Sequence, residues 1–309
     1  MPRLIDDIRA AGKLAMPWFV SSHEREWVRQ AQLLSDLLHD PQLPVLLIDN
    51  VADYYFGSDQ EHWDLVDDFP NLAPPFPQFW TEHRIPATIH SKERGDSDIS
   101  RIIQRGRVGA LITGLNPSEV KGEGLPENVR WILWCELFID YGRLHDGTVD
   151  GPHGSTFLCI DEHGVLIGHP WMQSLSDPQH NEAMKAFMTW FNPSFLAMSF
   201  LHCKNVTIVE DRMPKPLAKK FRAKHPGLEP APYKTLVIEP LKQILRTQGG
   251  ATDKGVGLKR AMHICRGHFK DYRQGPGLFG KYHQLVWQPS LVRGTKSGAA
   301  APRQMEVKV

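Results

Sequence analysis

The chain has 309 residues, with 36 Lys+Arg against 35 Asp+Glu, 15 His, 24 Pro, 25 Gly and 4 Cys. An apolar fraction of 41% and a charged fraction of 23% lie near globular norms, which excludes wholesale disorder, collagen-like repeats, coiled coils and disulfide scaffolds. The length allows one large domain or two modest ones, at roughly 100–200 residues per domain.

The near-zero net charge hides an asymmetry. Residues 1–211 hold 16 Lys+Arg and 30 Asp+Glu, a net of −14, and residues 212–309 hold 20 and 5, a net of +15. A basic part of this kind points to contact with nucleic acid. Two other readings stand beside it, the second combining it with the first. The halves could neutralise each other within the chain, or the acidic half could shield a basic surface until a polyanion competes for it.

Helix opens the chain, with Leu4, Ile5, Ile8 and Leu14 as its apolar face. Ser21-x-x-Glu24 is a capping-box pattern, followed at helical spacing by Trp27, Ala31, Leu34 and Leu38, joined by Val28 and Leu37, and ended by Pro41 and Pro44. Val45 to Asp49 reads as a short buried strand. Residues 51–80 are aromatic and acidic, and prolines at 70, 74, 75 and 77 make much of this stretch a loop whose rings cap the core. Residues 84–107 read as a polar connection.

Val108 to Thr113 is a strand candidate. Val129 to Tyr141 alternates, with Trp131, Leu133, Cys135, Leu137 and Ile139 on one face, although its Glu and Leu content makes helix a competitor. Ser155 to Asp161 and Val165 to Gly168 flank Glu162-His163-Gly164 as a hairpin. Met184–Phe191 and Phe195–Cys203 read as buried helices, with Asn192 as N-cap and Pro193 at the first helical position. Val206 to Val209 is a strand, Leu217 to His225 a basic helix, and Tyr233 to Ile238, Leu258 to Tyr272 and Leu285 to Trp287 are strands. The tail after about residue 294 reads as disordered. Helices and strands mix without a regular βαβ rhythm, so the expected fold class is α+β. The expected division is an acidic N-terminal region, residues 1–178, and a basic C-terminal region, residues 179–309.

The four cysteines are widely spaced with no C-x-x-C pair, which fits reduced thiols in a cytosol. The N-terminus carries Asp6 and Asp7 where a signal peptide needs bases. The apolar stretch from Ala186 to Cys203 is interrupted by Asn192-Pro193. A cytoplasmic chain without a membrane span is therefore expected.

The densest candidate for chemistry runs from Arg260 to Tyr272, with Lys281 and His283 after a glycine-bearing turn. On a strand, Arg266, His268 and Lys270 share a side. Arg260, Arg266, Lys270 and Lys281 can hold phosphate oxygens, and Tyr272 can orient a phosphate or stack on a base. His268 and His283 could act as an acid/base pair on an RNA 2′-hydroxyl without a metal, with Arg266 and Lys281 stabilising charge. Phosphate binding needs less geometry than cleavage. His202-Cys203 and His263-x-Cys265 are crowded for a zinc site, so no metal is assigned. The glycine-rich run 249–257 lacks the order of a phosphate-binding P-loop, and no cofactor motif is present.

The run Leu201-His202-Cys203-Lys204-Asn205-Val206, then Tyr233-Lys234-Thr235-Leu236, His263-x-Cys265-Arg266-Gly267-His268-Phe269 and Leu278-Phe279-Gly280-Lys281 resembles a group of uncharacterised proteins from prophages and bacteriophages. The resemblance covers about the last 110 residues. It implies a mobile-element setting in a bacterial cytoplasm and supplies no fold, substrate or site residue. The expectation from sequence is thus a nucleic-acid-binding protein, RNA ahead of DNA, with ribonuclease action by His268 and His283 as its extension. The alternative is a non-enzymatic factor whose acidic, aromatic N-terminal region binds a host or phage protein.

Overall fold

The computed structural model describes residues 3–11, 14–15, 33–57, 69–85, 106–120, 125–140, 149–150, 152–168, 188–238, 263–265, 267–277, 281, 283–288 and 291–293. Its centre is an eight-stranded mixed sheet flanked by helices, an α+β fold. In chain order the strands are β1 (Leu14–Ala15), β2 (Val45–Leu47), β3 (Gln78–Arg84), β4 (Arg107–Leu115), β5 (Trp131–Asp140), β6 (Val149–Asp150), β7 (Gly154–Ile160), β8 (Leu166–Gly168), β9 (Val206–Asp211) and β10 (Tyr233–Ile238). The sheet runs β8-β7-β5-β4-β3-β2-β10-β9. The pairs β10–β2 and β2–β3 are parallel, and the other pairs are antiparallel. The C-terminal β11 (His263–Cys265) pairs with β14 (Leu291–Arg293), and β12 (His268–Asp271) pairs with β13 (Leu285–Gln288).

The central strands are buried on both faces, and their alternation sorts side chains between two cores. On one face Phe79, Ala110, Ile112, Leu133 and Leu137 meet α3 (Asp49–Gly57) and α4 (Asn192–Leu201). On the other face Trp80, Leu111 and Phe138 meet α1 (Leu4–Ala11) and α2 (residues 33–39). Trp80 and Phe138 touch with ring centroids 5.2 Å apart. Their approach depends on Gly109, where an added Cβ would fall 2.0 Å from Trp80 Cζ2.

α4 is buried along nearly its whole length. Its polar residues bond to neighbouring elements: Thr81 Oγ1 and Ser194 Oγ lie 2.7 Å apart, Ser199 Oγ donates to the Asn71 carbonyl, and Asn192 Nδ2 donates to Tyr55 Oη at 2.7 Å, while Asn192 Oδ1 is buried without a partner. That last bond corrects the expected cap. The side chain of Asn192 is turned to α3, Phe191 occupies the N-cap position and Pro193 lies one residue inside the helix.

Three further expectations change. The stretch 51–80 is not all loop: α3 occupies Asp49–Gly57 and β3 takes Gln78–Arg84. Leu14 leaves the first helix for β1, opposite Val149. The strand expected over Leu258–Tyr272 is two strands with different partners, interrupted at Gly267, where a Cβ would fall 2.6 Å from Tyr54 Oη and 2.7 Å from Trp287 Cζ2. By contrast, β5 carries the expected alternation, with Leu133, Cys135 and Leu137 buried on the α4 face.

The expected division at residue 178 falls inside one sheet. β10, from the basic part, pairs with β2 from the acidic part, and Trp287 and Leu285 join the core of Leu46 and Phe79. The tail after residue 294, the capping box, Val28, the glycine-rich run 249–257 and Trp63 lie outside the described residues. No helix among the described residues is long and apolar enough to cross a membrane.

Candidate functional site

Arg260 and Arg266 lie outside the described residues. The remaining sequence-selected residues sit on or next to the β12–β13 hairpin. Phe269 and Trp287 are paired across it, with ring centroids 4.7 Å apart, and they anchor it on Phe200 of α4. Asn205 fixes it to the start of β9, donating to the Trp287 carbonyl and accepting from the Trp287 amide. Arg273 closes the far end: its side chain and backbone amide donate to Asp271, and its guanidinium reaches the carbonyls of His163 and Pro70. The guanidinium beside it holds the Asp271 carboxyl below its usual range.

Strand alternation puts His268 and Lys270 on one side of β12. His268, Lys281 and His283 are exposed, and Lys270 and Tyr272 are half-buried. The register runs from His268 opposite Gln288 to Asp271 opposite Leu285, and the Tyr272 amide donates to the Gln284 carbonyl. Past Asp271 the chain bends, so His283 lies beyond the paired residues at the Leu285 end, while His268 sits at the Gln288 end. The two histidines are therefore at opposite ends of the hairpin. Proton exchange on one phosphodiester needs both within hydrogen-bond reach of it.

A second basic element was expected as a short helix and is α5 (Lys215–Lys224), the connection from β9 to β10. Its sequence, KPLAKKFRAK, holds five cations and no acid. Ala218 is buried and Phe221 half-buried, which turns Lys215, Lys219 and Lys220 outward. Lys215 and Lys219 are four apart, so they share a face. Arg222 is chelated by Glu229, at 2.8 Å from its Nε and 2.8 Å from its Nη2, and this pairing lowers the glutamate pKa.

Sequence reasoning missed a third cluster, under the acidic half. Glu82 of β3 is fully buried and accepts from the Leu4 amide at 2.7 Å, the Ile5 amide at 3.0 Å, Trp80 Nε1 at 3.1 Å and Arg107 Nε. It thereby anchors the first turn of α1 on the sheet, where two orphan amides carry the positive end of the helix dipole. Arg107 also reaches Asp49, and the two carboxylates outweigh burial in raising its pKa. Arg3 pairs with Asp6 and donates to the Ala231 carbonyl at 2.6 Å, while Asp6 accepts from the Ala231 amide at 2.9 Å. Burial pushes the Asp6 carboxyl up in spite of Arg3.

Arg3, Arg84, Arg107 and Asp49 line part of a cleft of about 260 Å³. Leu47, Met213, Pro214, Leu217 and Tyr233 line the rest, so the start of α5 forms one wall. The only local signals for this cluster are charged residues at strand ends, in stretches the sequence presents as polar connections.

The paired ionic groups Arg3–Asp6, Arg107–Glu82, Arg222–Glu229 and Arg273–Asp271 each join residues on the same side of position 178. The described aromatic rings of residues 51–80 face inward: Tyr55, Phe69, Phe79 and Trp80 are buried, and Tyr54, Phe56 and Phe76 pack on the core. His202 Nε2 lies 2.8 Å from the Ala73 carbonyl and Cys203 Sγ lies 3.4 Å from that of Ser199. Burial pushes the Cys203 thiol up to about 12, which makes it a poor ligand and nucleophile. No group of three or more His, Cys, Asp or Glu able to hold a metal occurs among the described residues.

No family model, curated protein or solved structure matches the chain.

Proposed function

We propose that this is a nucleic-acid-binding protein of a mobile genetic element, acting in the bacterial cytoplasm, with single-stranded RNA preferred to duplex DNA. The observation that carries the reading is α5, a helix of five cations and no acid on the outside of the sheet. Lys215, Lys219 and Lys220 make the principal phosphate contacts there. Lys270 and Lys281, with His268 and His283, extend the contact along the hairpin, where donors spread over its length suit successive phosphates better than one reacting centre. The reading is therefore binding. Cleavage by His268 and His283 has no support from the register.

The test is fluorescence anisotropy with labelled single-stranded RNA and duplex DNA over a salt series, comparing wild type with the Lys219→Gln/Lys220→Gln variant. Each lost phosphate contact lowers the slope of log K against log salt by about 0.7 for a single strand, so the pair lowers it by about 1.4 and weakens binding roughly 25-fold at 0.1 M salt. Absence of binding at low salt, or unchanged affinity in the variant, overturns the proposal. Metal-independent cleavage lost in His268→Ala would reinstate the nuclease.

A further inference from the structure

β9 is one edge of the eight-stranded sheet, with β10 as its single strand neighbour among the described residues. The two pair over all six residues, Val206 to Asp211, without a bulge. After Val206 every residue of the strand is exposed. Ile208 is 44% and Val209 45% exposed, two aliphatic side chains at neighbouring positions and so on opposite faces. Ile208 stands beside the buried Leu236 on the α4 face, and Val209 beside Thr235, on the same side as Tyr233 and the α1 core.

The two edges of the sheet are built differently. β8 is three residues long, and its register with β7 slips between Cys159 and Ile160. A short, irregular edge resists pairing with another chain. β9 carries none of these deterrents: Val206 to Val209 are consecutive β-branched residues, and the strand holds no Pro, no Lys and no bulge. Its charges lie only at its ends. Lys204, exposed, stands before the strand, and Glu210 and Asp211 finish it, followed by Arg212. The start is therefore net positive and the finish net negative. Glu210 pairs with Lys234 at 3.5 Å but keeps 60% of its side chain exposed.

We infer that β9 is a self-association edge: two copies of the chain pair β9 with β9, antiparallel about a two-fold axis at Ile208, into one continuous sheet. Parallel pairing would set like-charged ends together, whereas antiparallel pairing brings Lys204 to the end where the other copy's Glu210 and Asp211 lie. A two-fold axis normal to the sheet keeps the same face up in both copies, so only residues an even number apart can stand opposite each other. An axis at Ile208 sets Ile208 against its own copy on one face and Val209 against Thr207, twice, on the other. Glu210 is then about 14 Å along the strands from its copy, past the screening length of about 10 Å at 0.1 M salt; an axis at Val209 would bring the two to about 7 Å. The joined sheet ends on a β8 at each side, so association closes at two copies. The axis also leaves both α5 helices on one face of the joined sheet, but the pairing does not depend on α5 binding nucleic acid.

Analytical ultracentrifugation of the full chain tests the assignment, with wild type expected at twice the chain mass. Ile208→Lys and Ile208→Glu each set two like charges on the axis and should raise the dissociation constant about a hundredfold or more. Mixed together, the two variants should form the dimer again, because each replacement then faces its opposite. Circular dichroism checks that both are folded, and the exposure of Ile208 means that neither buries a charge in the monomer. Oxidised Ile208→Cys should cross-link to a dimer on a denaturing gel, with wild type as the blank. Val209→Cys should not, since its copies lie about 8 Å apart on a diagonal across the axis. A monomeric wild type at up to about 100 μM, a dimer that survives Ile208→Lys, no recovery on mixing, or cross-linking through Val209→Cys in place of Ile208→Cys overturns the inference.

Discussion

Arg107→Met tests how Glu82 holds α1 to the sheet. Arg107 and Glu82 have side chains 7% and 0% exposed, so neither can turn to solvent when its partner is lost. Breaking a buried pair by removing one member costs about 3–5 kcal/mol. The remaining carboxylate keeps three neutral donors, Leu4 and Ile5 amides and the Trp80 indole, which places Arg107→Met at the lower end, about 3 kcal/mol. Glu82→Gln keeps the volume but turns an NH₂ group towards donors, and one or two of them lose their acceptor at about 1–3 kcal/mol each. It also leaves Arg107 with Asp49 alone, so its cost is about 3–5 kcal/mol. Both variants remove the same charge pair, so the double variant should cost less than the sum by about 2 kcal/mol. Urea unfolding at neutral pH, followed by Trp fluorescence, measures each value, with an unchanged m-value as the check on comparability. In Glu82→Gln, hydrogen exchange should show lost protection at the Leu4 and Ile5 amides. A cost below about 1 kcal/mol for Arg107→Met, or costs additive within about 0.5 kcal/mol, would refute the hub.

Two further outcomes follow from the same face of the sheet. Burial raises the Asp7 carboxyl from 3.8 to about 7, reinforced by Asp140, Glu82 and Asp6 and opposed by Lys224. The folded state therefore binds this proton more tightly than the unfolded chain, and the stability it contributes is complete below about pH 4 and lost as pH rises through about 7. Asp7→Asn should stabilise the protein by about 2–4 kcal/mol at pH 8 and by almost nothing at pH 4, read as melting temperatures across that range; an effect that does not change with pH would contradict it. Gly109→Ala places a Cβ against the indole of Trp80, itself pressed on Phe138, and should cost about 3 kcal/mol or more by overpacking. Adding Trp80→Phe should recover part of that loss in urea unfolding, and no recovery would mean that the clash lies elsewhere.

How much of this was legible in the amino-acid order depends on whether the signal was local. β5 was readable because Leu133, Cys135 and Leu137 alternate, and the alternation is imperfect because Phe138 on the other face is buried as well. α4 was readable as an apolar run, but its cap was not, since the acceptor for Asn192 is Tyr55, far away in sequence. α3 carried a helical signal in Ile48, Val51, Ala52 and Tyr55, all buried, and the prolines downstream concealed it. The basic helix was legible because composition alone marks it. The arginine cleft was not, because Arg3, Asp49, Arg84 and Arg107 meet only through the parallel β10–β2–β3 order and the antiparallel return of β4.

The charge asymmetry of the chain has a structural counterpart that bears on the α5 contact. Acids of the N-terminal part are drawn into its own arginines: Asp6 to Arg3, Asp53 to Arg84, Asp49 and Glu82 to Arg107. In α5, by contrast, Arg222 is matched by Glu229 while Lys215, Lys219 and Lys220 project on a surface with no acid in their own helix. A helix with that composition lowers its self-repulsion most by meeting a polyanion, and counterion release makes that gain steeply dependent on salt.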